Sequence, residues 1–547
     1  MKRNLKSCLS LLLLVALVIT LTACGGNDSA NTDDASSSAT TTTNADPTTL
    51  RVAVSGDTET IDPVAGNMPR STEAIANLYD QLFTYEIIKD ENGLQVGDST
   101  VVIGSLAKSW ALDEAGTTYT ITLRDDVKFH SGNPMTTADV AYSFDRALHS
   151  GMGTGAFDMS VVTVTDVVEI VDEYTFKMHT AETNPYALNV LQMGGCSIVD
   201  SKVFKENATD DDPWALKWAA KNEAGSGPYK LKSWDAGTQL IFEANEEYWN
   251  YDVYFKQMIW NIIPESSTQV MMMANGELDV IEGITANYLS KLENPNVNIM
   301  SFNSKNQLTL FMNDVDAGDK PLSDKYVRQA IAYCIPYQDI VDSVYYGAAT
   351  VCDSVISVGS PNYDNSAWKY EYNVEKAKEC LEKSAYAQGV SFTLSISNAF
   401  PSHETIAILM QDALSQIGVE MEINKLDNSA FSAKRPTMEA FLTESLAWVD
   451  DPSYMLDLSL TNLEGSDNAR CVHYTNNAEF KKLADESKYL LDIEQRTANY
   501  NRIQEICAED VPIICICQPN FNLVTSAGIK GYVQYFDELV RFGRMSR

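Results

Sequence analysis

The residues best placed for chemistry are few. Asp450 and Asp451 are adjacent in Ala447-Trp448-Val449-Asp450-Asp451-Pro452. Neighbouring carboxylates can move protons, or one can hold a cation. Asp211-Asp212 is a similar pair, but with 75 Asp and Glu in 547 residues most such pairs are simply hydrated. Nothing completes a reaction centre around them. The chain has no Gly-x-Ser-x-Gly, His-Glu-x-x-His, Gly-x-x-x-x-Gly-Lys or Cys-x-x-Cys. His130, His149, His179, His403 and His473 are scattered without metal spacing, and Gly151-Met152-Gly153-Thr154-Gly155 lacks dinucleotide spacing and reads as a loop. No metal or cofactor is implied, and a secreted enzyme is only a distant alternative.

Cysteine chemistry begins at the leader. Lys2, Arg3 and Lys6 precede an apolar run over 9–21, too short for a membrane span and suited to a secretory h-region. It ends in Leu21-Thr22-Ala23-Cys24-Gly25, small residues before a cysteine. This predicts a lipoprotein signal peptide over 1–23, cleaved so that lipidated Cys24 becomes the N-terminus. An ordinary signal peptide with an incidental cysteine is the bland alternative. Residues 24–48 are dominated by Ser, Thr, Asn, Asp and Ala and predict a flexible tether. The eight later cysteines, at 196, 334, 352, 380, 471, 507, 515 and 517, are irregularly spaced and several lie in apolar patterns. They read mainly as buried free thiols. Alternation places Cys515 and Cys517 on one strand face, without the second ligand pair of a zinc site.

Composition bounds the rest. With 40 Lys and Arg, the formal charge is −35, which repels phosphate backbones and anionic headgroups and excludes nucleic-acid binding as a main role. The length exceeds one hydrophobic core, so two or three domains are expected.

Strand and helix signals alternate from residue 49 onward. Strands are predicted over 50–54, 119–124, 391–395 and 419–423. Helices are predicted over 71–82 with Ser71 or Thr72 as N-cap, 137–148 capped by Thr136 or Thr137, a pair over 326–346 about Pro336, 374–384, and 405–417 ending at Gly418. The βαβ order near 390–423 favours a mixed α/β architecture.

Several blocks then recur in a known order. Ala107-Lys108-Ser109-Trp110 precedes 119–143, which contains Phe129-His130-Ser131-Gly132 and Pro134. Gly225-Ser226-Gly227-Pro228-Tyr229 leads to Asn245-Glu246-Glu247-Tyr248-Trp249. Asn275-Gly276-Glu277-Leu278-Asp279 follows, then Phe311-Met312-Asn313, then Pro321 to the Val327-Arg328-Gln329-Ala330-Ile331 helix, with Tyr372-Asn373, Ala377-Lys378 and Ile417-Gly418-Val419 completing the set. This closely resembles the peptide/nickel family of ABC-transporter solute-binding proteins, the oligopeptide- and dipeptide-binding type (extracellular solute-binding family 5), over residues 49–547.

The resemblance implies a two-lobed periplasmic-binding-protein-like α/β fold (type II, cluster C) with an inserted domain. By motif order, lobe 1 comprises 46–85, 221–305 and 516–547; the inserted domain is 86–220; lobe 2 is 306–515. The implied function is capture of a peptide by lobe closure and delivery, unaltered, to a membrane permease with its ATPase subunits. The same role for nickel, a metal chelate or another polar solute is the alternative. The implied place is the outer face of the cell membrane, as a lipid-anchored monomer, a Gram-positive surface more than a periplasm.

Peptide-binding members hold the ligand α-amino group with a carboxylate in a Trp…Asp…Asp-Pro loop. Here that loop is shorter, which leaves room for a different ligand. It offers Asp450, or Asp451, as acceptor and Trp448 as a wall, against Asp451 capping the next helix and Trp448 packing in a core. Arg435 meets a ligand carboxylate or is solvated. Asn67, Met68 and Arg70 line the cleft from the other lobe. The motif residues themselves, Arg328 among them, read as holding the fold.

Overall fold

The computed structural model describes residues 46–66, 68–150, 167–292, 294–313, 320–447, 449–456, 459–460 and 477–547. The leader, Cys24, the tether, Asn67, Gly151–Gly155, Trp448, Cys471 and His473 lie outside the described residues.

Among the described residues, two large sheets carry the molecule. In the first, the order is Val297–Phe302, Phe521–Ser526, Val280–Glu282, Thr49–Val54, Gln257–Ile262, Gln239–Ala244 and Tyr229–Asp235. Its centre is Thr49–Val54, parallel to both neighbours. Four of its six residues are buried, as expected of a strand covered on both faces. The second sheet runs Ala349–Val351, Ile513–Pro519, Gln307–Met312, Ala440–Ser445, Val390–Ser397 and Val419–Leu426. A smaller antiparallel sheet holds Ala107–Leu112, Thr118–Leu123, Thr175–His179 and Val168–Ile170, and Phe83–Lys89 pairs with Gln95–Gly104 as a hairpin.

The chain passes from the first large sheet to the second through residues 303–306, and returns through Asn520. Each sheet has its own core: Leu50, Val52, Phe242 and Trp260 in the first, Leu308, Leu394, Ile406 and Ile514 in the second, Ile121, Phe144 and Phe176 in the smallest.

The expected βαβ unit is present. Val390–Ser397 and Val419–Leu426 are parallel, joined by the helix Pro401–Ser415 and by Gly418 at φ 76°. The helix Thr137–His149 starts at Thr136, whose backbone N–H donates to Asp139 Oδ2 at 2.8 Å.

Two local expectations are corrected. The helix predicted over 71–82 is Pro69–Leu78, starting earlier because Pro69 suits the first turn. Tyr79 is already extended. Tyr79 and Leu82 are buried, so burial alone continued the helical spacing past the helix end. Ser71 does not cap it; its hydroxyl accepts from the backbone of Glu59 and Thr60, both at 3.3 Å. The cysteines of Ile513–Pro519 do not share a core. Leu308 opposes Cys517 while Thr309 opposes Cys515, so the ladder carries an extra residue there. The bulge breaks the alternation, and Cys515 joins the Phe311 cluster while Cys517 joins the Leu308 cluster. All seven described cysteines are buried free thiols.

The motif residues act as fasteners. Asp279 accepts from Arg51 Nε at 2.8 Å and Arg547 Nη2 at 2.6 Å, tying the central strand to the chain end. Buried Arg328 donates to the carbonyls of Leu322, Ser323, Asp510 and Val511. Asp80 accepts from Ser226 (2.9 Å), Tyr248 (2.9 Å) and Trp249 (3.0 Å), which joins two motif blocks.

The glycines of Gly225-Ser226-Gly227-Pro228 are required by close approach. A Cβ on Gly227 would lie 2.6 Å from the carbonyl carbon of Leu78, and the Gly227 N–H donates to that carbonyl at 3.0 Å. Gly227→Ala is therefore expected to destabilise the fold by about 1–3 kcal/mol. Urea unfolding of the variant beside wild type measures this; equal stability would mean that the Leu78 backbone yields freely.

Candidate functional site

Residues 303–306 carry consecutive polar side chains between the strands Val297–Phe302 and Gln307–Met312, and three of the four engage carboxylates. The Ser304 hydroxyl donates to Glu538 Oε1. The Lys305 ammonium donates to Asp450 Oδ2. Asn306 donates to Glu444 Oε2 at 2.8 Å. The backbone is held as well: Gln518 Nε2 donates to Ser304 O at 2.5 Å and Ser357 Oγ to Lys305 O at 3.1 Å.

Beside this segment lies a cavity of about 440 Å³. Its walls are the 90–100 part of the hairpin, Phe302–Lys305, Gly359 and the segment 534–538. The hairpin is tied to that last segment by Gly97 N–H to Gln534 O at 2.8 Å. A Cβ on Gly97 would lie 2.6 Å from the Tyr535 ring, so glycine is needed there. The volume falls in the usual range for a small-molecule site, roughly 300–1,000 Å³. Acidic groups (Asp90, Glu91, Asp98 and Glu538) and one ammonium, Lys305, line it.

The sequence-predicted residues fall into different places. Asp450 is enclosed: Oδ2 accepts from Lys305 and Ser99, Oδ1 from Ser360 at 2.7 Å, and its side chain is 2% exposed. Asp451 accepts from Arg496 Nη2 at 2.7 and 2.8 Å and from Ser453 N–H at 2.9 Å, at the start of the helix Pro452–Leu456. Arg435 is half-buried with its guanidinium 5.6 Å from the Phe431 ring centre. Met68 is exposed, and Arg70 pairs with Glu73 at 2.7 Å and with Glu282. The cavity lining includes Lys305, the partner of Asp450, but not Arg435, Met68 or Arg70. Lys305, Ser304, Ser99, Ser360 and Glu538 escaped sequence reasoning. The one available signal was Asn303-Ser304-Lys305-Asn306, a polar run between two apolar strands; nothing in Asp537-Glu538 marked it.

Burial raises the Glu538 carboxyl to about 7, against the Ser304 hydrogen bond and with Glu444 and Asp537 pushing the same way. Burial likewise raises Glu73 to about 7, against the pull of Arg70 and Arg541. Both carboxyls hold a proton more tightly folded than unfolded, where the ordinary value is near 4.5. Their contribution to stability is therefore full below about pH 4.5 and is lost as pH rises through about 7. Melting scans between about pH 5 and about pH 8 are expected to show a flatter decline for Glu538→Gln than for wild type; parallel curves would contradict the raised value.

This fold is shared with solved binding proteins. The chain superposes with a TM-score of 0.76 on the Helicobacter pylori periplasmic binding protein DppA in complex with the peptide STSA, at 23% identity, covering 91% of this chain and 98% of that one. The fold is thus the α/β, two-lobed periplasmic-binding-protein type that the sequence led us to expect. Over 489 residues it is 29% identical to the probable D,D-dipeptide-binding periplasmic protein DdpA of Escherichia coli (strain K12), spanning 88% of this chain and 91% of that one. It is 26% identical over 451 residues to the oligopeptide-binding protein AppA of Bacillus subtilis (strain 168), spanning 78% and 80%. Residues 101–467 match the model of the bacterial extracellular solute-binding proteins, family 5. The chain belongs to this family, as the motif order implied. No described helix is long and apolar enough to cross a membrane.

Proposed function

We propose that this protein is the lipid-anchored receptor of an ABC importer, capturing short peptides outside the membrane and delivering them unaltered to a permease. The observation that carries the reading is the cavity against the 303–306 crossing, walled by charges of both signs. A site beside the connection between two sheets feels their relative movement, so a ligand bound there biases open against closed forms. The names of the relatives, a D,D-dipeptide binder and an oligopeptide binder, favour peptide over other solutes. In this reading the lobes are 46–85 with 221–305 and 516–547, and 306–515, with 86–220 inserted. The loop 447–452 forms part of the site, and Asp450 acts on the solute through Lys305. The chain works as a monomer, carries no cofactor, and converts nothing covalently.

A binder of the folded state raises stability by RT ln(1 + [L]/Kd), about 2.7 kcal/mol at a hundredfold excess over Kd. A melting screen against pools of short peptides, nickel–histidine chelates and sugars is expected to show a rise of a few degrees with peptides alone. A rise with chelates or sugars and none with peptides would replace the solute while leaving the transport role.

The anchor is tested separately. Cys24→Ser, expressed in a bacterial host, is expected to move the protein from the membrane fraction to the soluble fraction without changing peptide binding. Retention at the membrane would overturn lipidation at Cys24.

A further inference from the structure

Away from the cavity, the helices of the second large sheet meet the smaller antiparallel sheet at a further place. The helices Ala478–Tyr489 and Ile493–Asp510 are joined by the turn 490–492. Tyr489, Leu491 and Ile493 are exposed there, Leu491 at 43%. The Thr183 hydroxyl donates to Tyr489 O. Leu491 reaches the bare face of Gly116, where a Cβ would lie 3.0 Å from Leu491 Cδ1 and 3.0 Å from Thr183 Cγ2. Gly116 stands at φ 76° in the turn between Ala107–Leu112 and Thr118–Leu123. Tyr489 ends its helix, so its carbonyl has no partner within that helix. The donor that satisfies it lies 306 positions away in sequence.

Each half of this contact is held by its own bonds. Thr180 pins the two turns of the smaller sheet together: its N–H donates to Thr117 O at 2.9 Å and its hydroxyl to Glu182 O at 2.7 Å. Asp113 accepts from the backbone N–H groups of Thr117 and Thr118 at 3.0 and 3.1 Å. On the helix side, Arg496 Nε donates to Ser487 O at 2.9 Å and Asn499 Nδ2 to Ser487 Oγ at 3.1 Å. The same Arg496 holds Asp451 through Nη2. The turn is thus tied to the 447–452 loop, although Gly116, Thr183, Tyr489 and Leu491 do not line the cavity.

We propose that Thr183 and Leu491 form a clasp between the smaller sheet and the second large sheet, and that this clasp sets the affinity and release rate for the solute without touching it. The inference rests on the capture reading, with its open and closed forms, and goes beyond it: the closed form is held by the chain's own remote contact as well as by the solute. A contact made only in the closed form adds its free energy to that form, and preformed halves lose little freedom on meeting. Apparent affinity then scales with the fraction of molecules that are closed or ready to close. The clasp is one hydrogen bond and one apolar seat, so it biases the balance and leaves the solute in control of it.

The test uses the full chain and the member of the di- to tetrapeptide pools that raises the melting midpoint most. Leu491→Ser removes the apolar seat and Thr183→Val removes the donor. Each variant is expected to bind that peptide about 3–10-fold more weakly, the scale of one hydrogen bond or a small apolar contact. Stopped-flow traces should place the loss in faster dissociation, with association nearly unchanged. Thr183→Ser, which keeps the hydroxyl, should bind as wild type does. Without peptide, the melting midpoints of the variants should stay close to that of wild type. Unchanged affinity in both variants, a loss carried by association, or midpoints that fall as far without peptide as with it would overturn the clasp while leaving peptide capture intact. Wild type that binds no peptide would overturn peptide capture itself, and the clasp with it.

Discussion

Residues 303–306 are the constraint on which the site depends. They must cross between two sheets and, in crossing, satisfy carboxylates from three different parts of the chain: Glu538 near the end, Asp450 in the loop after Ala440–Ser445, and Glu444 within that strand. A carboxylate removed from water needs donors, and its cost without them reaches several kcal/mol. The crossing supplies a hydroxyl, an ammonium and an amide in sequence. Its backbone is clamped in turn by Gln518 and Ser357 from the second sheet's side. The position of the cavity wall follows from these requirements.

The same pressure shapes the rest of this acidic molecule. Bases are outnumbered by acids, 40 to 75, and arginine occupies several of the enclosed pairs. Asp62 and Arg146 form a two-pronged contact at 2.7 and 2.6 Å with both side chains 1% exposed. Asp279 is shared by Arg51 and Arg547, and Asp451 by Arg496 and a helix start. The planar guanidinium matches a carboxylate at two points, which suits it to burial better than lysine. Asp80 takes the other route and is held by three neutral donors. Family motifs thus lie mainly at these fasteners, and the cavity wall is drawn largely from residues outside them.

Much of the architecture was legible locally. The 390–426 βαβ unit, the Thr136 cap and the pair of helices about Pro336 follow from spacing and capping chemistry, because both act within a few residues. The failures share a cause. Tyr79 and Leu82 kept a helical rhythm through burial after the helix had ended, and a bulge opposite Leu308–Thr309 moved Cys517 to another core. The Asp450–Asp451 pair was visible as a motif, but not the division of its roles, because Arg496 is 45 positions and Lys305 145 positions away.

The sequence by itself determined the class of the protein: its family, its α/β alternation, its acidity and the motifs that fasten its strands. These are properties of local pattern and of ordered blocks, and they survive without knowledge of what meets what. Only the tertiary structure decided that Lys305 covers Asp450, and that Glu538, in a backbone conformation no propensity would choose, stands at the cavity beside the Ser304 hydroxyl. Contacts between residues hundreds of positions apart depend on how whole sheets pack, and a linear pattern carries no record of that geometry.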